Sequence, residues 1–289
     1  MTDDTETTAS RQPRLMGIWA HPDDESFGMA GTIFRATQRG YPVAMVCATR
    51  GEEGKIADPA LATPENLGQV REGELRAAMA AVNVSDVTFL DYIDGHLAEA
   101  DQTEALGKVV YQIRRFQPDV VVTFDPKGGY GHVDHMAIHR LTVAGAVAAA
   151  SESEFPEQFA AGVAPHRVRK LYYGAIPREA MLKMRDEVEA HGGTFEPGGD
   201  EATIPIEEMG IPMREITTIV RLTDAEYAAK RNASMQHKTQ LPADSPWASA
   251  SEEQMRQFMG TETFQLQPAP LSDQDYPTPE DDVFAGLEE

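Results

Sequence analysis

Across 289 residues, 47 acidic side chains stand against 25 basic ones, a net charge of −22. That balance leaves no basic face of the kind that neutralises a nucleic-acid backbone or an anionic lipid surface. An apolar fraction of 41% is ample for a buried core at this length, yet no apolar run approaches the ~20 residues that cross a bilayer.

Residues 1–12 are polar and acidic, with no basic n-region or apolar h-region, and read as a disordered tail rather than a secretion signal. From there to about residue 150, strand and helix patterns alternate. Leu15–Ala20 is a continuous apolar strand, and Phe27–Arg39, closed by Gly40, is a helix. Pro42–Ala48 is a second strand; it carries Cys47, the single cysteine, which reads as a buried thiol in a reducing cytoplasm. Glu65–Ala81 is a helix, Val87–Leu90 a strand, and Asp101–Phe116 a helix with Leu106, Val109, Val110 and Ile113 on one face and Asp101 as its cap. Val120–Phe124 is the fourth strand, and a helix beginning near Asp134 runs to Ala150. Unbroken apolar strands alternating with helices predict an α/β fold, a Rossmann-like, mostly parallel sheet buried on both faces.

The second half is less regular. Glu152–Pro165 reads as a connection, Leu171–Ala175 as a strand, Arg178–Ala190 as a helix, and Thr194–Met209 as a Gly-, Pro- and acid-rich loop. A strand at Glu215–Val220 and a helix at Asp224–His237 lead to a Pro/Ser-rich stretch, and the acidic residues from Ser272 to Glu289 read as peripheral. Without repeats or a clean linker, residues 13–289 read as one domain, a core over 13–150 completed by 151–289.

Two clusters carry chemistry. Ala20-His21-Pro22-Asp23-Asp24-Glu25 ends the first strand, and Gly131-His132-Val133-Asp134-His135 follows the fourth. Ligands in open α/β sheets bind beyond the carboxyl ends of strands, so the two clusters face one crevice if those strands are neighbours. His21, Asp24 and His135 supply the two imidazoles and one carboxylate of a hydrolytic Zn²⁺ site, one ion per chain, although another divalent metal suits the same donors. Asp23 is then free to act as general base towards metal-bound water. His132 stands opposite as oxyanion stabiliser or acid, and Asp134 can orient its ring. Each residue alone also has a plainer reading, a helix cap for the aspartates and a structural role for the histidines; Glu25 reads as structural. A non-catalytic ligand-binding α/β module is the reading from another class, weakened because His21-Pro22-Asp23-Asp24 sits where such a module carries its glycines.

His21-Pro22-Asp23-Asp24-Glu25, Thr49-Arg50-Gly51-Glu52, Arg71-Glu72-Gly73-Glu74 and Gly131-His132-Val133-Asp134-His135 together resemble the LmbE/PIG-L family of metal-dependent N-deacetylases and amidases. The resemblance covers residues 14–150 well and continues loosely into Ile216-Thr217-Thr218 and residues 230–240. It implies zinc ligands at His21, Asp24 and His135, the base at Asp23, the polariser at His132 and Asp134 as its partner. Val133 stands where the family motif usually has proline. Gly128-Gly129-Tyr130-Gly131 resembles the mycothiol branch, in which a tyrosine assists at the oxyanion; simple loop packing is the other reading of Tyr130. By the same resemblance Arg71 reaches the substrate, Asp94 shapes a sugar pocket and His237 lies at its rim. A helix-surface ion pair with Glu74, a tight turn and a helix end are the respective alternatives. Arg50 is a further crevice cation. The expected activity is removal of an N-acetyl group from an N-acetylglucosamine-type small molecule, with a thiol-conjugate amidase or an ester or phosphoester hydrolase as rivals. The sequence leaves a homo-oligomer open, since assemblies of several subunits occur in the resembled family.

Overall fold

The computed structural model describes residues 11–190, 192–241 and 251–287; the expected tail, apart from Arg11 and Gln12, lies outside them. Seven strands form one sheet: β1 (Leu15–Trp19), β2 (Val43–Thr49), β3 (Asp86–Tyr92), β4 (Val120–Thr123), β5 (Lys170–Gly174), β6 (Thr218–Arg221) and β7 (Thr261–Leu266). Their order is β3-β2-β1-β4-β5-β7-β6. The first five strands are mutually parallel, and β7 runs antiparallel to both of its neighbours. The helices are α1 (Asp24–Gln38), α2 (Leu67–Ala81), α3 (Gln102–Phe116), α4 (Val133–Ala149), α5 (Arg178–Ala190), α6 (Asp224–Ser234) and α7 (Glu252–Met259).

The unbroken apolar strands are explained by two cores, one on each face. Alternate residues of β1 divide between them: Leu15 and Trp19 pack with Met29, Ile33 and Leu75 of α1 and α2, while Met16 and Ile18 pack with Val109, Ile113 and Ile138 of α3 and α4. Strand order reverses at β1, which has β2 on one side and β4 on the other. The crevice of a doubly wound sheet opens at that reversal.

Three expectations are corrected in the second half. β7 and α7 went unseen: β7 is a short alternating strand, Thr261–Leu266, and the cue to α7 is the capping box between Ser251 and Gln254. The expected strand at Glu215–Val220 begins only at Thr218, after a short turn over Met213–Glu215. The acidic end is not peripheral, because Tyr276, Val283, Phe284 and Leu287 are core residues. It is pinned by Lys170, whose ammonium is wholly enclosed and lies 2.5 Å from Glu280 Oε1 and 2.8 Å from the Ala285 carbonyl. Tyr172 donates to the other Glu280 oxygen at 2.6 Å.

A second buried carboxylate repairs a broken helix. α1 leaves helical geometry at Met29, which frees the N–H groups of Gly31 and Thr32. Glu262 of β7 accepts both, at 2.9 and 2.8 Å, and Lys230 of α6 neutralises it at 2.9 Å. The first turn of α1 is thereby separated from the rest and free to follow the geometry of the crevice. Removing one partner of a buried pair strands the other charge, so Glu280→Ala should lose about 3–5 kcal/mol, measured by urea unfolding.

Candidate metal-dependent active site

Two segments separated by more than a hundred residues meet at the carboxyl ends of β1 and β4. His21 follows β1, Asp24 opens α1, and His135 lies in the first turn of α4. His21 Nδ1 is 3.1 Å from His135 Nε2; Asp24 Oδ2 is 3.8 Å from the first nitrogen and Oδ1 is 3.5 Å from the second. Donors around a four-coordinate zinc with bonds of 2.0–2.1 Å stand roughly 3.3 Å apart, so this triangle of side chains, with one Asp24 oxygen towards each ring, suits such an ion. Burial pushes the Asp24 carboxyl up to about 8 against the attraction of His21, which marks a place where added positive charge is welcome.

The groups on the far side of each ring set which nitrogen faces the triangle. His135 Nδ1 faces the Gly128 carbonyl at 3.1 Å, leaving a lone pair on Nε2. His21 Nε2 lies 2.8 Å from Asp94 Oδ1 and 3.4 Å from Asp134 Oδ2, contacts bent away from the ring N–H direction, and Nδ1 is left to face the triangle. His132 also brings a nitrogen close to His21 and His135. Its Nδ1, however, caps α4 by accepting the Asp134 N–H at 3.1 Å, which puts the hydrogen on Nε2. A nitrogen carrying hydrogen cannot ligate, so His132 is a donor and Asp24 the third ligand candidate. Burial, and after it the nearby His21, lower the His132 pKa and favour the same neutral form.

Asp23 is the strained member of the group. Its φ of 124° lies where side-chain-bearing residues rarely sit, at a cost of about 1–3 kcal/mol. Arg71 holds it there: Nη2 donates to the Pro22 carbonyl at 2.8 Å and to Asp23 Oδ2 at 3.3 Å, and Nη1 donates to the Gly51 carbonyl at 3.1 Å. Gly51 and Gly54 form the cradle, because a Cβ at either would run into the Arg71 guanidinium. Burial raises the Asp23 pKa and Arg71 opposes that rise.

Around these residues the other expected side chains make contacts of their own. Asp134 meets His132 through its backbone; its carboxylate accepts from Gly95 N at 2.7 Å and Leu97 N at 3.0 Å, tying the loop after β3 to α4. Asp94 is buried against His21, which holds it down at about 2 although burial works the other way. The Arg50 guanidinium is engaged by Glu72, Asp91 and the Phe89 ring rather than by the crevice. His237 is no rim residue, being 0% exposed beneath Glu25 and Ser26. Arg71 and Glu74 do not pair either: Glu74 instead accepts from Thr239 N and Oγ1 at 2.9 and 2.6 Å. Tyr130 sets its ring edge-on to His135, 5.2 Å between centroids, and burial followed by Asp24 and Asp23 keeps its phenol protonated. Val133 occupies the first helical position of α4, where proline's missing N–H is harmless, and points outward, so the motif departure touches nothing in the crevice. Glu201, 3.8 Å from His132 Nε2, went unmarked because it sits in an acid-rich loop with no distinguishing pattern.

Comparison with known proteins agrees with this geometry. The family model described as PIG-L, GlcNAc-PI de-N-acetylase, matches residues 16–146. A 1D-myo-inositol 2-acetamido-2-deoxy-alpha-D-glucopyranoside deacetylase of Streptomyces avermitilis is 34% identical over 88% of this chain and 91% of its own. The chain belongs to the PIG-L family. A relative of the same name from Thermobispora bispora is 35% identical over 88% and 87% of the two chains. PIG-L membership makes the protein a metal-dependent hydrolase of an N-acyl amide and sets aside the non-catalytic module. Among solved structures, the fold is shared with an N,N'-diacetylchitobiose deacetylase from Pyrococcus horikoshii, with a TM-score of 0.65, 22% identity, and 88% and 84% of the two chains covered. A 4-carboxy-2-hydroxymuconate hydratase from Pseudomonas putida also shares it, with a TM-score of 0.56, 19% identity, and 88% and 96% covered. One fold therefore hosts different reactions, and the side chains of the crevice carry the assignment.

The glycine cradle yields a test. Gly54 is not at positive φ, so Gly54→Ala acts chiefly through the Arg71 guanidinium, the nearest group to an added Cβ, which cannot yield without losing its bonds to Pro22 and Gly51. Misplacing Asp23 in this way should lower turnover by roughly 100-fold, with the far-ultraviolet circular dichroism spectrum and bound metal unchanged.

Proposed function

We propose that this enzyme removes the acetyl group from an N-acetylglucosamine linked to inositol, using one zinc ion held by His21, Asp24 and His135. The observation that carries the reading is the meeting of His21, His135 and Asp24, the two ring nitrogens 3.1 Å apart and an Asp24 oxygen 3.5 to 3.8 Å from each, beside the strained Asp23. An ion held there acts as a Lewis acid towards the amide carbonyl and acidifies water. Asp23, outside the triangle and gripped by Arg71, takes the proton of the attacking water on its carboxylate. His132 Nε2–H donates to the oxygen that gains negative charge, and the protonated phenol of Tyr130 is a second donor on that side. With His132 Nδ1 occupied by the Asp134 N–H, protonated Asp23 is the group that returns a proton to the departing amine. The thiol-conjugate amidase and ester or phosphoester readings find no further support.

The inositol-linked substrate is supported by relatives of that name, 30–35% identical to this chain over most of both lengths. An uncharged sugar also suits a crevice that carries Asp23 and Asp24, with Asp94 and Asp134 buried beside His21. Cytoplasmic reducing conditions accord with Cys47, which burial keeps as a thiol, and no helix among the described residues is long and apolar enough to cross a membrane.

Two measurements test the reading. Asp23→Asn should keep its metal, quantified by elemental analysis, and lose about 10²–10⁴ in kcat; near-normal turnover would refute the base assignment. Zinc-loaded enzyme should release acetate from 1D-myo-inositol 2-acetamido-2-deoxy-alpha-D-glucopyranoside with a higher kcat/KM than from N,N'-diacetylchitobiose. The reverse order would overturn the inositol-linked substrate while leaving the chemistry in place.

A further inference from the structure

The peptide joining Pro22 to Asp23 is gripped at both ends. Arg71 binds its carbonyl oxygen at 2.8 Å, and Glu25 Oε2 accepts its N–H at 3.2 Å. Rotation about the Asp23 φ would swing this peptide, so the two grips together impose the value of 124°. The Glu25 grip is itself supported from behind. Ser26 Oγ donates to Glu25 Oε1 at 2.5 Å and lies 2.9 Å from His237 Nε2. Since the single serine hydrogen goes to Glu25, the His237 contact is donated by Nε2–H. His237 Nε2 also lies 3.4 Å from Glu25 Oε1. The imidazole is 0% exposed and so cannot touch a substrate. Its Nδ1 is buried with no hydrogen-bond partner among the described residues, a destabilising arrangement that packing alone does not call for. The segment that carries His237 is anchored by Thr239 to Glu74 of α2, the helix that also supplies Arg71. One helix thus organises both grips.

We propose that His237 is a positioning residue: through Ser26 and Glu25 it holds the Pro22–Asp23 peptide and thereby aims the Asp23 carboxylate. The inference rests on the reading of Asp23 as the proton-transferring base. It assigns to the second half of the chain a part in proton transfer at the opposite end of the sequence.

The test compares Ser26→Ala, His237→Leu and His237→Gln in metal-loaded enzyme, with crystal structures of the variants. Ser26→Ala and His237→Leu should lower kcat by about 10- to 100-fold with KM and metal content unchanged, and Asp23 should relax out of positive φ. His237→Gln, which can present an N–H to Ser26, should recover most of the loss. A change in KM with kcat intact would make His237 a pocket residue and overturn the proposal. So would an Asp23 that stays at positive φ in both disruptive variants. Should His237→Leu fail to fold, Ser26→Ala breaks the same relay with little change in volume. The backbone readout is independent of the base assignment, which Asp23→Asn tests on its own.

Discussion

The pairing of β1 with β4 is the constraint on which everything else depends. Leu15, Met16 and Gly17 lie in parallel register with Val120, Val121 and Val122, so the two strands end side by side and their following loops open into one space. His21 and His135, remote in the chain, come within 3.1 Å through that register. β2 follows on one side of β1 and β4 on the other, so no helix crosses directly over the gap. A one-residue slip between β1 and β4 would exchange the two cores as well as dismantle the donor triangle.

The crevice concentrates buried negative charge, and the structure satisfies it in several ways. Asp134 accepts two backbone N–H groups, Asp94 faces His21, Asp23 faces Arg71, and Glu25 faces Ser26 and His237. Asp24 has an N–H of His21 and the two imidazoles, and it remains the carboxylate that burial raises to about 8. Burial raises the adjacent Asp23 as well, and a divalent cation beside these two carboxylates relieves that electrostatic deficit. The strain at Asp23 belongs to the same design, since stored backbone energy persists only where neighbours over-determine it.

The second half of the chain holds this arrangement from outside. Its buried pairs, Lys170 with Glu280 and Lys230 with Glu262, fasten β5 to the end of the chain and α6 to β7 and the break in α1. These pairs could not be read in advance because a buried Lys–Glu contact has no local pattern; Glu280 and Glu262 look like any other acids in an acidic chain. β7 escaped notice for a related reason. Its alternation is short, and it joins the sheet by running against the other strands, which no neighbouring residues announce.

What the sequence determined by itself was local and periodic: the parallel α/β core, the two ligand-rich strand ends, and a donor set suited to a divalent ion. These follow from hydrophobic period and residue chemistry, which are written within a few residues of one another. Tertiary structure alone decided which nitrogen of each histidine is available, that Asp134 turns its carboxylate to the neighbouring loop rather than to His132, that Arg50 is engaged elsewhere, and that His237 lies beneath the crevice rather than on its rim. Each depends on a hydrogen bond or ion pair to a partner that is distant in the chain or unmarked by any local pattern. Residue spacing cannot specify such a bond, because its direction exists only once the strands and helices have packed.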